Sequence, residues 1–169
     1  FLPLENILKK IGLKNLTNNY QSYSNGNERN VINIDENNSL LKFLPLICYE
    51  IIYSGRIFND SNFDFIVNIS EDGWFGNSIG PEQHFSHSIF RAIEEGKSII
   101  RSSNNGRSAY INSYGEIISE MESTQSGVIE VTNTINSKNT IFSRFGNKIF
   151  FALIVIYISL IFFINKRRT

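Results

Sequence analysis

Phe43-Leu44-Pro45-Leu46-Ile47-Cys48-Tyr49-Glu50-Ile51-Ile52 is the stretch that decides the fold. Its first five residues form an apolar run of strand length with no polar interruption, the mark of a strand buried in a sheet. Tyr49-Glu50-Ile51-Ile52 then reads as the start of a helix. A strand running directly into a helix is a building unit of α/β sheets, and it leaves Cys48 at the junction. A thiol there faces free backbone N–H groups and the positive end of a helix, which favour a thiolate and an oxyanion formed beside it. The plainer reading of the same residue is a small hydrophobe in the core, where free cysteines are commonly found.

Outward from that junction the pattern repeats. Phe63 to Ser70 is a second buried strand, with Val67 and Ile69 β-branched, and it breaks into the loop Glu71-Asp72-Gly73-Trp74-Phe75-Gly76. Strands that end together in polar, aromatic loops build sites at the carboxyl edge of an open sheet. Pro81 suits a helix start, and Glu82 to Gly96 has amphipathic helical spacing. Ser98 to Arg101 is a third buried strand, followed by the turn-rich loop Ser102-Ser103-Asn104-Asn105-Gly106. Ser108 to Asn112, a hairpin turn at Ser113-Tyr114-Gly115-Glu116, Ile117 to Met121 and Val128 to Thr132 continue as a β meander.

On the other side, Leu4 to Ile11 carries apolar residues at helical spacing and stops at Gly12. Residues 15–30 are a polar loop, Val31 to Ile34 a strand, and Asp35-Glu36-Asn37-Asn38 a turn into the strand Leu40 to Cys48. Glu50 to Phe58 is expected to be helical. The sum is an α/β fold around a mixed sheet.

Composition narrows the function classes. The 169 residues suffice for one domain with a real core, and 41% of them are hydrophobic, with seven Tyr and fourteen Phe. Sixteen basic and sixteen acidic side chains cancel, so no global field favours a nucleic acid, and none is expected as a partner. One cysteine excludes an internal disulfide. His84 and His87 stand three apart without a third ligand, so they read as a packed or surface pair; neither a metal nor a cofactor is expected. The Asn-rich stretch from Asn15 to Asn38 implies at most local disorder.

The last element differs in kind. Ile149 to Ile164 is sixteen residues without a charge. As a helix it would span about 24 Å at about 1.5 Å per residue, a little short of a hydrocarbon core of about 30 Å, and Lys148 and Lys166 can snorkel to extend it. A membrane span is expected over residues 149–165, with a short basic tail at 166–169. Basic residues flank both ends, and the denser Lys166-Arg167-Arg168 cluster favours a cytoplasmic tail.

With Cys48 as nucleophile, acyl transfer or hydrolysis at an amide or ester is the natural chemistry, and it needs a base and an oxyanion partner. Glu50 lies two residues on and could line the same pocket, or could simply cap the first turn of a helix. Four segments in order make the reading specific: Leu46-Ile-Cys-Tyr-Glu50, Asn68-Ile-Ser-Glu-Asp-Gly-Trp-Phe-Gly76, Gly80-Pro-Glu-Gln-His84 and Arg101-Ser-Ser-Asn-Asn-Gly106. Together they resemble the nitrilase, or carbon-nitrogen hydrolase, superfamily. Within it they are similar to the C-terminal part of the apolipoprotein N-acyltransferase family, over nearly the whole chain.

The resemblance implies a four-layer α-β-β-α sandwich, incomplete at its N-terminal side, over residues 1–135, then a linker at 136–148. It implies a domain on the periplasmic side of a bacterial inner membrane. The implied reaction moves a fatty acyl chain from a phospholipid donor, through a thioester on Cys48, to the amine of a diacylglyceryl-cysteine on an apolipoprotein. Tyr49 and Glu50 match residues that shape the pocket, and Trp74 an aromatic that contacts lipid substrate.

Two departures stand out. Ser70-Glu71-Asp72-Gly73 replaces the usual Ser-Asn-Asp-Ala, adding a carboxylate near the site. The superfamily's catalytic Glu and Lys belong upstream of the segment matching Phe1. Lys42 and Glu50 are the nearest stand-ins and match neither motif. The chain opens on Phe1, and its only methionine is Met121, so it is expected to be a piece of a longer enzyme. Without that base and cation it is expected to be inactive alone, and sheet surface left uncovered implies poor solubility. Alternatives are a membrane-tethered amidase or nitrilase and a non-functional remnant.

Overall fold

The computed structural model describes residues 29–36, 39–55, 57–58, 62–132, 135 and 137–167. The helix expected over Leu4 to Ile11 lies outside them. Among the described residues six strands form one sheet in sequential order: β1 (Ile32–Glu36), β2 (Ser39–Ile47), β3 (Phe65–Glu71), β4 (Ser98–Asn104), β5 (Ser108–Ile111) and β6 (Ile117–Met121). The β2–β3 and β3–β4 pairs are parallel, and the other three pairs are antiparallel. This is the mixed α/β sheet the sequence implied, and it fits a nitrilase-like fold.

Register explains a residue that looks wrong for a central strand. Pro45 has no N–H to donate, yet β2 lies between β1 and β3. The β1 ladder ends at the Ile32–Phe43 pair, so Pro45 sits beyond the last rung on that side and needs no donor there.

Helix α1 (Gly80–Glu95) crosses between β3 and β4, as a parallel pair requires. Pro81 lies in its first turn, where a missing N–H costs nothing. Gly96 caps its end at φ 64°, with its N–H donating to the Ala92 carbonyl. The helix packs on the sheet face that carries Leu44, Leu46, Ile66, Ile99, Ala109 and Ile111, and together with Phe85, Ala92 and Ile51 these form the core. Each large apolar side chain buried there contributes about 1.5–3 kcal/mol. On the opposite face Ile47 and Ile69 remain more than half exposed at the carboxyl end of the strands.

Two elements differ from expectation. Beyond Cys48 the chain makes one 3-10 turn, Cys48–Ile52, rather than a helix to Phe58. Tyr53 returns to an extended backbone, and its carbonyl accepts from Arg91 Nη1 at 2.9 Å, so α1 claims the chain before a second turn can form. Val128 to Thr132 forms no strand: the apolar alternation is present, but the segment joins no ladder and Val128 is 91% exposed.

The segment expected to be a linker contains the short helix α2 (Ile141–Phe145), capped by the Thr140 hydroxyl, which accepts from Ser143 N. Lys138 N donates to the Gly96 carbonyl at 2.8 Å, and Thr140 donates to Glu94 O, so this stretch is tied to the end of α1. Helix α3 (Lys148–Lys166) follows. It is long and apolar enough to cross a membrane, and none of its residues is buried against the rest of the described structure.

Candidate active site

Cys48 stands at the end of β2 with φ +49°, one of two non-glycine residues with positive φ among the described residues. A left-handed backbone costs a non-glycine residue roughly 1–2 kcal/mol, so neighbouring contacts must hold it. The short 3-10 turn that follows corrects the expected role of a helix dipole, since one turn sums few peptide dipoles.

The holding contacts come from β3, β4 and α1. The Asn68 side-chain amide donates to Leu46 O at 3.0 Å and to Cys48 O at 3.3 Å. His84 Nε2 lies 3.2 Å from the same Cys48 carbonyl, and its Nδ1 lies 2.8 Å from Asp72 Oδ1, so both ring nitrogens face oxygen acceptors. Arg101 Nη2 donates to Asp72 Oδ2 at 2.7 Å, while Nη1 donates to Asn68 Oδ1 and to Ser70 Oγ. Asn68, Asp72, His84 and Arg101 are all at most 2% exposed.

Burial pushes the Asp72 carboxyl up, but the hydrogen bond from His84 and the charge and hydrogen bond of Arg101 outweigh it and hold it below the usual range. Burial likewise pulls the Arg101 guanidinium down, against the pull of Asp72. Gly106 closes the cluster: a Cβ there would clash with Asp72 Oδ2, so only glycine lets the loop approach this closely.

The residues singled out in the sequence take different places. Glu50 turns back on its own backbone: Oε2 accepts from Ile47 N at 2.7 Å, and Oε1 from Arg29 Nη2 at 2.7 Å. Both oxygens hold the turn around Cys48. Tyr49 is half exposed, with its ring 5.5 Å from His84 and 6.4 Å from Phe75. Trp74 is 87% exposed in the 3-10 turn Gly73–Phe75. Its neighbour Phe75 is the ring that packs against Tyr49 and His84, at 6.4 and 5.6 Å between centroids.

Glu71, the departure in the loop motif, accepts from Gly73 N at 2.7 Å and from the Asn104 and Asn105 amides. Those bonds, Asn105 first, hold its carboxyl below the usual range and join the Trp74 turn to the loop after β4. Lys42 is no stand-in for an oxyanion cation. Six residues of strand, at about 3.3 Å each, place it about 20 Å from Cys48.

Composition and spacing missed Asn68, Asp72, His84 and Arg101 as a unit. The available signal was an Asn and an Arg interrupting buried apolar strands, since buried polar groups are there to be bonded. His84 and His87 do not act as a pair: His87 sits against Phe90, and its pKa is lowered by burial, then by Arg91 and His84.

The sequence profile of the carbon-nitrogen hydrolase family matches residues 14–138. The chain belongs to the carbon-nitrogen hydrolase family. Three similar proteins carry the description apolipoprotein N-acyltransferase. That of Rhizobium rhizogenes is 35% identical over 133 residues, 78% of this chain and 24% of its own length. That of Rickettsia bellii is 37% identical over 156 residues, 90% of this chain and 30% of its own. That of Rhodopseudomonas palustris is 34% identical over 168 residues, 99% and 31%. The chain thus spans about a quarter to a third of the curated relatives it matches. As a carbon-nitrogen hydrolase domain it brings together Cys48, Tyr49 and the Phe75 ring, with Asn68 and His84 beneath them.

Proposed function

We propose that Cys48 is the nucleophile of an N-acyltransferase site whose remaining catalytic groups lie on a part of the enzyme outside this chain. The observation that carries the reading is Cys48 itself: a partly exposed thiol at a left-handed strand end, in a chain similar to proteins named apolipoprotein N-acyltransferase. The thiolate attacks an ester carbonyl of a phospholipid, and the lysophospholipid alkoxide leaves and takes up a proton. The acyl chain stays on Sγ as a thioester. The α-amine of a diacylglyceryl-cysteine then attacks, the C–S bond breaks, and the amide and the free thiol are formed.

The chain's own residues supply several parts. A trans peptide sets its N–H opposite its C=O, so with the Cys48 carbonyl drawn inward, the Tyr49 N–H faces the open side, where an oxyanion would form. Tyr49, Phe75 and Trp74 give an aromatic surface suited to an acyl chain, and α3 anchors the domain in the inner membrane, with the site on the periplasmic side. Glu50 acts by shaping the turn. The general base and an oxyanion cation come from the upstream part of the enzyme.

Co-expression with an upstream fragment carrying the missing Glu and Lys tests this. A diacylglyceryl-cysteine peptide should become N-acylated in those membranes and remain unmodified with either piece alone. Turnover by the isolated chain, lost in Cys48→Ala, contradicts the divided site. Hydrolysis of small amides without acyl transfer favours a tethered amidase.

A further inference from the structure

The mechanism above uses the thiol and the peptide after it, and it leaves unexplained four buried polar side chains directly beneath them. We propose that His84, held by Asp72 and Arg101, is a positioning residue for Cys48. Together with Asn68 it fixes the Cys48 carbonyl on the buried side and so aims the Cys48–Tyr49 peptide. The inference rests on Cys48 being the nucleophile, but not on which acyl group it carries.

The geometry supports this in three ways. First, the Cys48 carbonyl has two side-chain partners, Asn68 Nδ2 at 3.3 Å and His84 Nε2 at 3.2 Å, from different elements. Two bonds converging on one carbonyl remove the rotation that a left-handed residue would otherwise relax through. Second, neither partner is free to turn. Asn68 is gripped through Leu46 O and Arg101, and His84 through Asp72, which Arg101 holds by its other oxygen. Third, four buried polar groups are costlier than an apolar core of the same volume would be. Packing alone would be better served by Leu or Met, whereas orienting a specific carbonyl needs donors at fixed positions.

The aromatic rings of Tyr49 and Phe75 cover the imidazole, at 5.5 and 5.6 Å between centroids, so His84 touches the site's lining without facing its open side. That distinguishes it from a general base, which must reach the proton it removes.

Because Cys48 is the only cysteine, intact mass after iodoacetamide treatment of the full chain in detergent micelles reports on this thiol alone. Rates across pH 6–9 are compared for wild type, His84→Ala, His84→Gln and Ser88→Ala, the last a buried polar residue one turn along α1. With the Tyr49 N–H released from its aim, the thiolate loses a donor. His84→Ala should therefore alkylate at least about fivefold more slowly, with its rate profile moved to higher pH. His84→Gln keeps a donor for the Cys48 carbonyl and should stay within about twofold of wild type, as should Ser88→Ala.

A folded His84→Ala that alkylates at the wild-type rate overturns the inference, as does a folded His84→Gln that slows as far as the alanine. If His84→Ala does not fold, a folded His84→Gln decides alone: the wild-type rate supports positioning, and a fivefold loss overturns it. The assay uses no lipid, acceptor or upstream fragment. A normal His84 result with no acyl transfer in the complemented enzyme would therefore sink the acyl-transfer reading and leave this one standing.

Discussion

The amino and carboxyl halves of strands β2, β3 and β4 are built from opposite materials on the same face of the sheet. One rung reads Leu44, Ile66, Ile99 and Ile111, all fully buried and apolar. Two residues along, the next rung reads Leu46, Asn68, Arg101 and Ala109, and Asp72 and His84 join it. The apolar rung is a source of stability. The polar rung costs stability in desolvation and returns a fixed backbone at Cys48.

The difference can be broken from either side. The largest effect should come from Arg101→Met, which leaves Asp72 buried without its cation. Removing one partner of a buried pair costs about 3–5 kcal/mol, read as a lower urea midpoint in detergent. Ile66→Ala on the apolar rung should cost about 2–5 kcal/mol, because it opens a cavity under α1. The two are separated by Cys48: alkylation per folded molecule should be unchanged in Ile66→Ala and slowed in Arg101→Met. Equal slowing would mean that the polar rung is merely structural.

Acid sharpens the contrast further. The folded Asp72 carboxyl titrates below the usual value of 3.8, so its contribution is fully present above that value. It is lost as pH falls through the lower folded value. Between pH 5 and pH 2, Asp72→Asn should flatten the part of the stability profile that belongs to this group, and Ile66→Ala should leave the profile's shape unchanged. The smallest effect belongs to the exposed rim. Trp74→Ala should change unfolding free energy by no more than about 0.5 kcal/mol, whatever it does to lipid binding.

These contrasts also show what the sequence could and could not reveal. β2, β3, β4 and α1 were legible because an apolar run, Pro81 and Gly96 each impose one local outcome. The helix to Phe58 failed because Arg91, thirty-eight residues away from Tyr53, takes a carbonyl that a second turn would need. Val128 to Thr132 failed because alternation marks a strand but supplies no partner. At the site, Cys48 was legible from its junction and its motif. Glu50 was legible two residues beyond Cys48, but its bonds to Ile47 N and Arg29 depend on the fold of the turn and on a residue twenty-one positions away. Trp74, expected from its match to a lipid-contacting aromatic, stands exposed on the turn whose Phe75 ring packs against Tyr49 and His84. The Asn68–Arg101 pairing depends on register across two strands, which no local pattern reports.

If Cys48 carries the acyl chain as proposed, the thioester can be trapped on it. Membranes holding this chain and the complementing upstream fragment are incubated with phospholipid but no acceptor, then digested and examined by mass spectrometry with and without hydroxylamine. A fatty acyl mass is expected on the Cys48 peptide, removed by neutral hydroxylamine and discharged by the diacylglyceryl-cysteine peptide. An acceptor acylated at full rate while Cys48 stays unmodified, or acylated equally well by Cys48→Ala, would contradict the proposal.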